Sequence, residues 1–187
     1  MANVTYDKNC LTVLDHPLVG HKMTILRDES TAPAHFRKLV HELAALEAYE
    51  ATRDLPTLQV QVKTPICETE GVRLKDDTLA VVPILRAGMG MLEGVLSVVP
   101  SAAVGVLGME RNEETHEPHS YYAKMPQGIE NRMVLVIDPM LATGGSALAA
   151  IKYLREAGVK DIRLLVMVAA PEGVAAVNAA EPDVHIW

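Results

Sequence analysis

Four consecutive aliphatic residues, Val134-Leu135-Val136-Ile137, stop at Asp138 and give way to Pro139-Met140-Leu141-Ala142-Thr143-Gly144-Gly145-Ser146. An unbroken aliphatic run of this length suits a strand buried on both faces, the kind found in parallel sheets covered by helices. Asp138 then falls at the strand's carboxyl end, the edge at which open α/β sheets bind ligands. Behind it, two glycines permit tight backbone, Thr143 and Ser146 supply hydroxyls, and a helix begins. The free N–H groups and dipole of a helix start favour an anion. Acid, hydroxyl-and-glycine crook and helix together suit a sugar phosphate: the carboxylate for ribose hydroxyls, the crook for the phosphate. The same junction also occurs as a plain βα turn, in which glycine relieves strain and serine caps the helix.

A second apolar run, Leu79–Leu85, reads as a central strand and is followed at once by Arg86-Ala87-Gly88-Met89-Gly90. A forked cation with bare glycine backbone at a strand's carboxyl end can meet a pyrophosphate. Taken alone, the segment reads equally as a βα loop with a solvated arginine. Two such loops at successive strand ends favour the binding reading. The remaining pattern alternates. A helix over Met91–Val98 stops at Pro100, and Ala102–Met109 reads as a buried strand. After the central motif, Ala147, Ala150, Ile151, Leu154 and Ala157 mark a helix face that Gly158 can cap. Ile162–Ala169 reads as a strand, Pro171–Ala180 as a helix, and Val184–Trp187 as the start of another strand. The fold class implied is α/β, a mostly parallel twisted sheet with helices on both faces, which brings Arg86, Arg111 and the Asp138–Ser146 loop to one edge.

Ahead of this core, residues 1–30 read as an irregular or short-stranded lead-in. Ser30-Thr31 with Pro33 starts a helix to about Arg53, its apolar face made by Phe36, Leu39, Val40, Leu43 and Leu46 and serving packing. Thr57–Val62 alternates and reads as a half-exposed strand. Residues 110–127, rich in charge, His, Pro and Tyr, have neither period and read as a protruding loop or arm. His116 and His119 lie in it; their spacing and loop context are weak evidence for acid/base or metal-ligand roles, and both read as solvated loop histidines. One domain over 1–187 is expected, with a lead-in of about 1–56 and a core of about 57–187.

The formal net charge of −7 argues against a nucleic-acid-binding face. Cys10 and Cys67 have no metal-like spacing and read as free thiols in a reducing cytosol. No signal-peptide pattern opens the chain, and no apolar run approaches the ~20 residues needed to span a bilayer. A cytoplasmic protein with no membrane association is the expectation.

The segment Asp138-Pro139-Met140-Leu141-Ala142-Thr143-Gly144-Gly145-Ser146 resembles the 5-phosphoribosyl-1-pyrophosphate (PRPP) signature of type I phosphoribosyltransferases, in the wording of the uracil phosphoribosyltransferase family. Leu85-Arg86-Ala87-Gly88 is similar to the family's pyrophosphate loop. Arg111 resembles its flexible-loop arginine, and Ser120–Pro126 the segment returning from that arm. Arg27, Asp28, Thr31, Phe36 and Arg37 match its opening, a region that in the family helps build the dimer and, in some members, a GTP-responsive site. The resemblance runs from about residue 16 to the end. It implies transfer of the phosphoribosyl group of PRPP to uracil, giving UMP and pyrophosphate, with Mg2+ arriving on PRPP, GTP as an activator in prospect, and a homodimer or higher homo-oligomer. The catalytic residues it implies are Asp138, Arg86 and Arg111. Its PRPP-binding residues would be Arg86, Arg111 and Asp138 with Pro139, Met140, Leu141, Ala142, Thr143, Gly144, Gly145 and Ser146, and no side chain would ligate a metal. Where most type I relatives carry a second acid, this chain has Pro139. The family's uracil-reading Gly-Tyr-Ile-x-Pro-Gly-Leu-Gly-Asp segment has no counterpart in the 187 residues, so the hood is read as incomplete and no uracil-binding residue is assigned. The chain as written is expected to bind PRPP and to recognise uracil poorly. Two other readings stand beside this one: a PRPP-fold regulator that binds RNA, and a non-catalytic nucleotide-sensing subunit.

Overall fold

The computed structural model describes residues 7–111 and 118–187, with their side chains except at 8 and 110–120. In chain order the elements are helix α1 (Pro17–Leu26), helix α2 (Pro33–Ala51), strands β1 (Thr57–Lys63), β2 (Glu68–Leu74) and β3 (Leu79–Leu85), then helix α3 (Met89–Val98). Strands β4 (Ala103–Val104), β5 (Val106–Arg111), β6 (Pro118–Lys124), β7 (Met133–Ile137) and β8 (Met140–Leu141) follow, then helix α4 (Gly145–Glu156). The chain closes with β9 (Asp161–Leu165), β10 (Val168–Ala169), helix α5 (Pro171–Ala180) and β11 (His185–Ile186). The main sheet runs β11-β9-β7-β3-β5-β6, with β4 also beside β3. Its pairs are parallel except the β5–β6 hairpin.

The two central strands show why a continuous aliphatic run is needed. Alternate residues of a strand point to opposite faces. Ala80, Val82, Ile84, Val134 and Val136 enter a core with Ala147, Ile151 and Leu154 of α4 and Val174 and Val177 of α5. Leu79, Val81, Leu135 and Ile137 enter a second core with Val40, Ala44 and Ala48 of α2 and Met91 and Val95 of α3. Each such Val, Leu or Ile contributes about 1.5–3 kcal/mol by leaving water. The sheet thus has helices on both faces, as the sequence pattern implies.

Several sequence expectations need correction. Residues 17–26 form α1 rather than irregular lead-in. His16 starts it by accepting a hydrogen bond at Nδ1 from the Leu18 N–H, with Pro17 in the first turn. None of its residues is buried, so it carries no apolar stripe to betray it. In α2 the buried face is Leu39, Val40, Leu43, Ala44, Glu47, Ala48 and Ala51, whereas Phe36 stays 43% exposed. The β1 strand does not stand alone, because Glu68–Leu74 folds back on it as an antiparallel ribbon. Both expected runs at 102–109 and 162–169 are broken. Gly105 separates β4 from β5, and β9 ends at Leu165 so that Val168–Ala169 can pair with Met140–Leu141. Much of the expected 110–127 loop is the β5–β6 hairpin, Arg111 facing Pro118 and Val106 facing Lys124. His116 lies outside the described residues, as does the side chain of His119.

Candidate active site

At the carboxyl end of β7 the chain leaves the sheet through Asp138, whose N–H still donates to Leu165 O at 3.2 Å. Pro139 O accepts from the Met167 and Val168 N–H groups, each at 3.2 Å, and Leu141 O accepts from Ala170 N–H at 2.8 Å. The small β8–β10 pair therefore clamps the outgoing limb of the loop to the chain beyond β9, a tether with no local sequence signal. The loop then turns at Gly144, whose φ of +87° lies in the left-handed region. A side chain there is disfavoured twice over: by φ, and because a Cβ would lie 3.3 Å from both Ala176 Cβ and Gly173 O. Helix α4 begins next from Gly144, which has no side chain to cap it, so the positive end of the helix dipole faces the loop.

A cleft of about 320 Å³ opens over this turn. Every residue from Asp138 to Ala147 lines it, together with Ala87, Leu164 and Val166. All nine positions read from the sequence as the PRPP segment (Asp138, Pro139, Met140, Leu141, Ala142, Thr143, Gly144, Gly145 and Ser146) thus share one wall. Leu164 and Val166 were not foreseen. They come from β9 and its exit, and their place follows only from the β7–β9 pairing. Burial pushes the Asp138 carboxyl from its ordinary 3.8 up to about 6, although a hydrogen bond from the Met140 backbone opposes the shift. An acid held this way gains from a ligand that brings positive charge or hydroxyl donors.

The Arg86 loop is pressed against the same edge. Gly88 closes the turn by donating to Ile84 O at 2.9 Å. A Cβ on Gly88 would sit 2.4 Å from Ile137 O, so only glycine lets this loop touch the strand end that carries Asp138. The Leu85–Arg86 peptide is cis. Arg86 itself is exposed, and Ala87 lines the cleft. Strand β5 pairs with β3 up to Leu85↔Gly108 and then continues three residues beyond it to Arg111. Arg111 is thereby carried past the sheet edge on the hairpin, and its side chain lies outside the described residues. Among the described residues no group of three or more His, Cys, Asp or Glu could hold a metal ion. None of their helices is long and apolar enough to cross a membrane.

Comparison with known proteins gives a consistent result. The profile of the family described as "Uracil phosphoribosyltransferase" matches residues 13–187. A uracil phosphoribosyltransferase of Lactobacillus gasseri is 54% identical over 176 residues, covering 94% of this chain and 84% of the relative. Among solved structures, the AQ2163 protein of Aquifex aeolicus superposes with a TM-score of 0.88 at 38% identity, over 94% of this chain and 84% of that one. A purine phosphoribosyltransferase of Pyrococcus horikoshii, 12% identical with a TM-score of 0.51 over 73% of this chain and 74% of its own, shares the fold.

Proposed function

The chain belongs to the uracil phosphoribosyltransferase family, and on that premise we propose how its own residues divide the work. The reaction is PRPP-dependent: the 5-phosphoribosyl group passes to uracil, giving UMP and pyrophosphate in pyrimidine salvage. As pyrophosphate departs from C1′, the sugar becomes oxocarbenium-like and the leaving group gathers negative charge, so positioning and charge stabilisation dominate the barrier. Asp138 binds the ribose hydroxyls and, once ionised, favours the cationic sugar. The crook Ala142–Ser146 and the uncapped start of α4 anchor the 5′-phosphate, while Pro139, Met140 and Leu141 hold the limb that positions it. Arg86, exposed beside the Asp138 edge, takes the pyrophosphate, and Arg111 meets it from the hairpin.

The donor set fits a Mg2+ that arrives on PRPP, since the loop offers one carboxylate, Asp138, with proline at 139, and Mg2+ on phosphates needs only one or two protein ligands. Arriving on PRPP, such an ion would offset charge on the pyrophosphate. The whole of 1–187 is read as one phosphoribosyltransferase domain. A homo-oligomer belongs to the same reading, supported by the isolated β1–β2 ribbon with Leu58, Ile66, Val72 and Leu74 exposed. The resemblance of Arg27–Arg37 to the family's opening supports a response to GTP, and the free thiols of Cys10 and Cys67 support a cytoplasmic setting. No observation favours the RNA-binding alternative.

The observation that carries the residue assignments is the single cleft walled by Asp138–Ala147. Pyrophosphate release with PRPP and a panel of uracil, hypoxanthine, adenine and orotate tests them alongside Arg86→Ala. Release with uracil in preference to the other bases is expected, against the poor uracil recognition read from the sequence, and is lost in the variant. An Arg86→Ala protein turning over at the unaltered rate overturns the assignment of Arg86.

A further inference from the structure

Behind the crook of the cleft lies the first turn of α5, and Gly173 in that turn has neither of the usual reasons to be glycine. Its φ is not in the left-handed region, which among the described glycines holds only Gly128, Gly144 and Gly158. Within a helix, glycine is also weaker than alanine. What the position requires is closeness. A Cβ on Gly173 would lie 2.5 Å from Ala142 O and 2.9 Å from Leu141 Cγ, well inside ordinary contact, which begins at 3.4 Å. The Gly173 carbonyl oxygen in turn stands 3.3 Å from the place a Cβ on Gly144 would take. Just ahead, the Ala170 N–H donates to Leu141 O at 2.8 Å. The start of α5 thus abuts the loop backbone along Leu141–Gly144.

We propose that Gly173 is a positioning residue for the phosphoribosyl donor: it sets how deeply the crook seats, and so where the groups that meet the 5′-phosphate lie. This rests on the reading of the Asp138–Ser146 cleft as the PRPP site. Two features decide which side yields when a methyl is placed between helix and loop. Helix α5 is fixed by Val174 and Val177, both buried in the core shared with α4. Ala142 and Thr143 are exposed and line the cleft. A backbone carbonyl cannot swing aside as the tip of a side chain can. Gly173→Ala therefore moves the crook, and a shift on the order of 1 Å toward the cleft restores ordinary contact. The 5′-phosphate is remote from C1′, where bonds change, so it is held alike in the bound substrate and in the transition state. Disturbing its seat raises KM for PRPP and leaves kcat nearly as it was.

The measurements are equilibrium binding of PRPP and the steady-state constants for UMP formation in Gly173→Ala. Kd and KM for PRPP raised about tenfold are expected, with kcat within about twofold of the unaltered chain. A purely structural glycine would lower the melt and leave KM in place, and that result, or a fall in kcat at unchanged KM, overturns the proposal. Val95→Ala is the destabilised control: Val95 is buried in the other core and lines no part of the cleft, so it should lower the melt without moving KM. An equal rise in KM there overturns the proposal too, since any loss of stability would then suffice. Thr143→Leu, which fills the crook itself, separates the two readings. PRPP affinity lost in Thr143→Leu and kept in Gly173→Ala overturns the role of Gly173 alone, whereas affinity kept in both overturns the cleft as the PRPP site as well. Should Gly173→Ala not fold, Ala170→Pro takes its place. The φ of −84° at Ala170 is near proline's own, and the change removes the N–H that holds Leu141 O, with the same expected rise in KM.

Discussion

Asp138 and Glu47 are both carboxyls withdrawn from water, and both are pushed up by burial, to about 6 and about 8 respectively. Their surroundings differ. Asp138 stands at a strand end, accepts a backbone hydrogen bond from Met140, and faces a cleft of glycine, hydroxyl and helix N-terminus. Glu47 stands mid-helix among Leu43, Ala44 and Ala48, and among the described residues its Oε2 meets no hydrogen-bond partner. The first site is partly solvated and built of groups that ionise or donate, so its raised acid is held close to the point of use. The second is buried among hydrocarbon, so its acid is a liability to the fold. Position in the fold, rather than the size of the shift, separates a carboxyl that faces a polar cleft from one that only costs stability.

The largest expected effect is on stability. A folded pKa near 8 against an ordinary 4.5 means that Glu47 contributes its full share of stability below about 4.5 and loses it as pH rises through 8. Glu47→Leu should therefore raise stability by up to about 4–5 kcal/mol in the alkaline range, and by little in acid. Denaturant melts on either side of the window check this, and parallel curves for both proteins would remove Glu47 from the comparison. Asp138→Asn probes the other acid. It keeps shape and removes charge, and should lower UMP formation about 10²–10³-fold while raising, not lowering, the melt at neutral pH.

How legible these two acids were differs for a physical reason. The Asp138 cleft was legible because the residues that wall it are adjacent in sequence: strand, acid, crook and helix start occupy Val134–Ser146. The place of Arg86 at a strand end was legible because it follows the aliphatic run of β3 directly. Glu47 was not, because a glutamate beside an apolar stripe ordinarily reads as solvent-facing. Its surroundings are assembled from segments near 11–14, 19–27, 43–47, 166–174 and 187, which no local pattern connects. Helix α1 escaped notice for want of a buried face, and β2 because Glu68–Leu74 carries only Val72 and Leu74 as large apolar residues, both exposed. Elements whose identity comes from burial could be read; those fixed by pairing or by exposed packing could not.

A smaller effect tests the crook behind Asp138. Gly144→Ala forces a Cβ onto a residue at φ +87°, at a cost of about 1–2 kcal/mol, with Ala176 and Gly173 3.3 Å away. Melting should fall modestly. PRPP affinity, read by equilibrium binding, should fall about tenfold if the 5′-phosphate sits on this turn. Unchanged affinity with a lowered melt would leave the glycine a purely structural part.

The finest distinction lies in how pH acts on Asp138. Its folded pKa near 6 exceeds the ordinary 3.8, so its contribution to stability is complete below 3.8 and declines as pH rises through 6. Activity must move in the opposite sense, because the carboxylate has to be ionised to favour a cationic sugar. The profile of kcat/KM for PRPP should be flat above about 7 and fall about tenfold for each pH unit below 6. Asp138→Asn should remove the acid limb of the rate profile together with the part of the stability slope between about 4 and 6, since one proton controls both. Glu47→Gln should remove only the part of the stability slope that runs up to about 8 and leave the rate profile unchanged, because its proton never meets the substrate. A rate profile that keeps its acid limb in Asp138→Asn would assign that limb to another group and separate burial from function at this strand end.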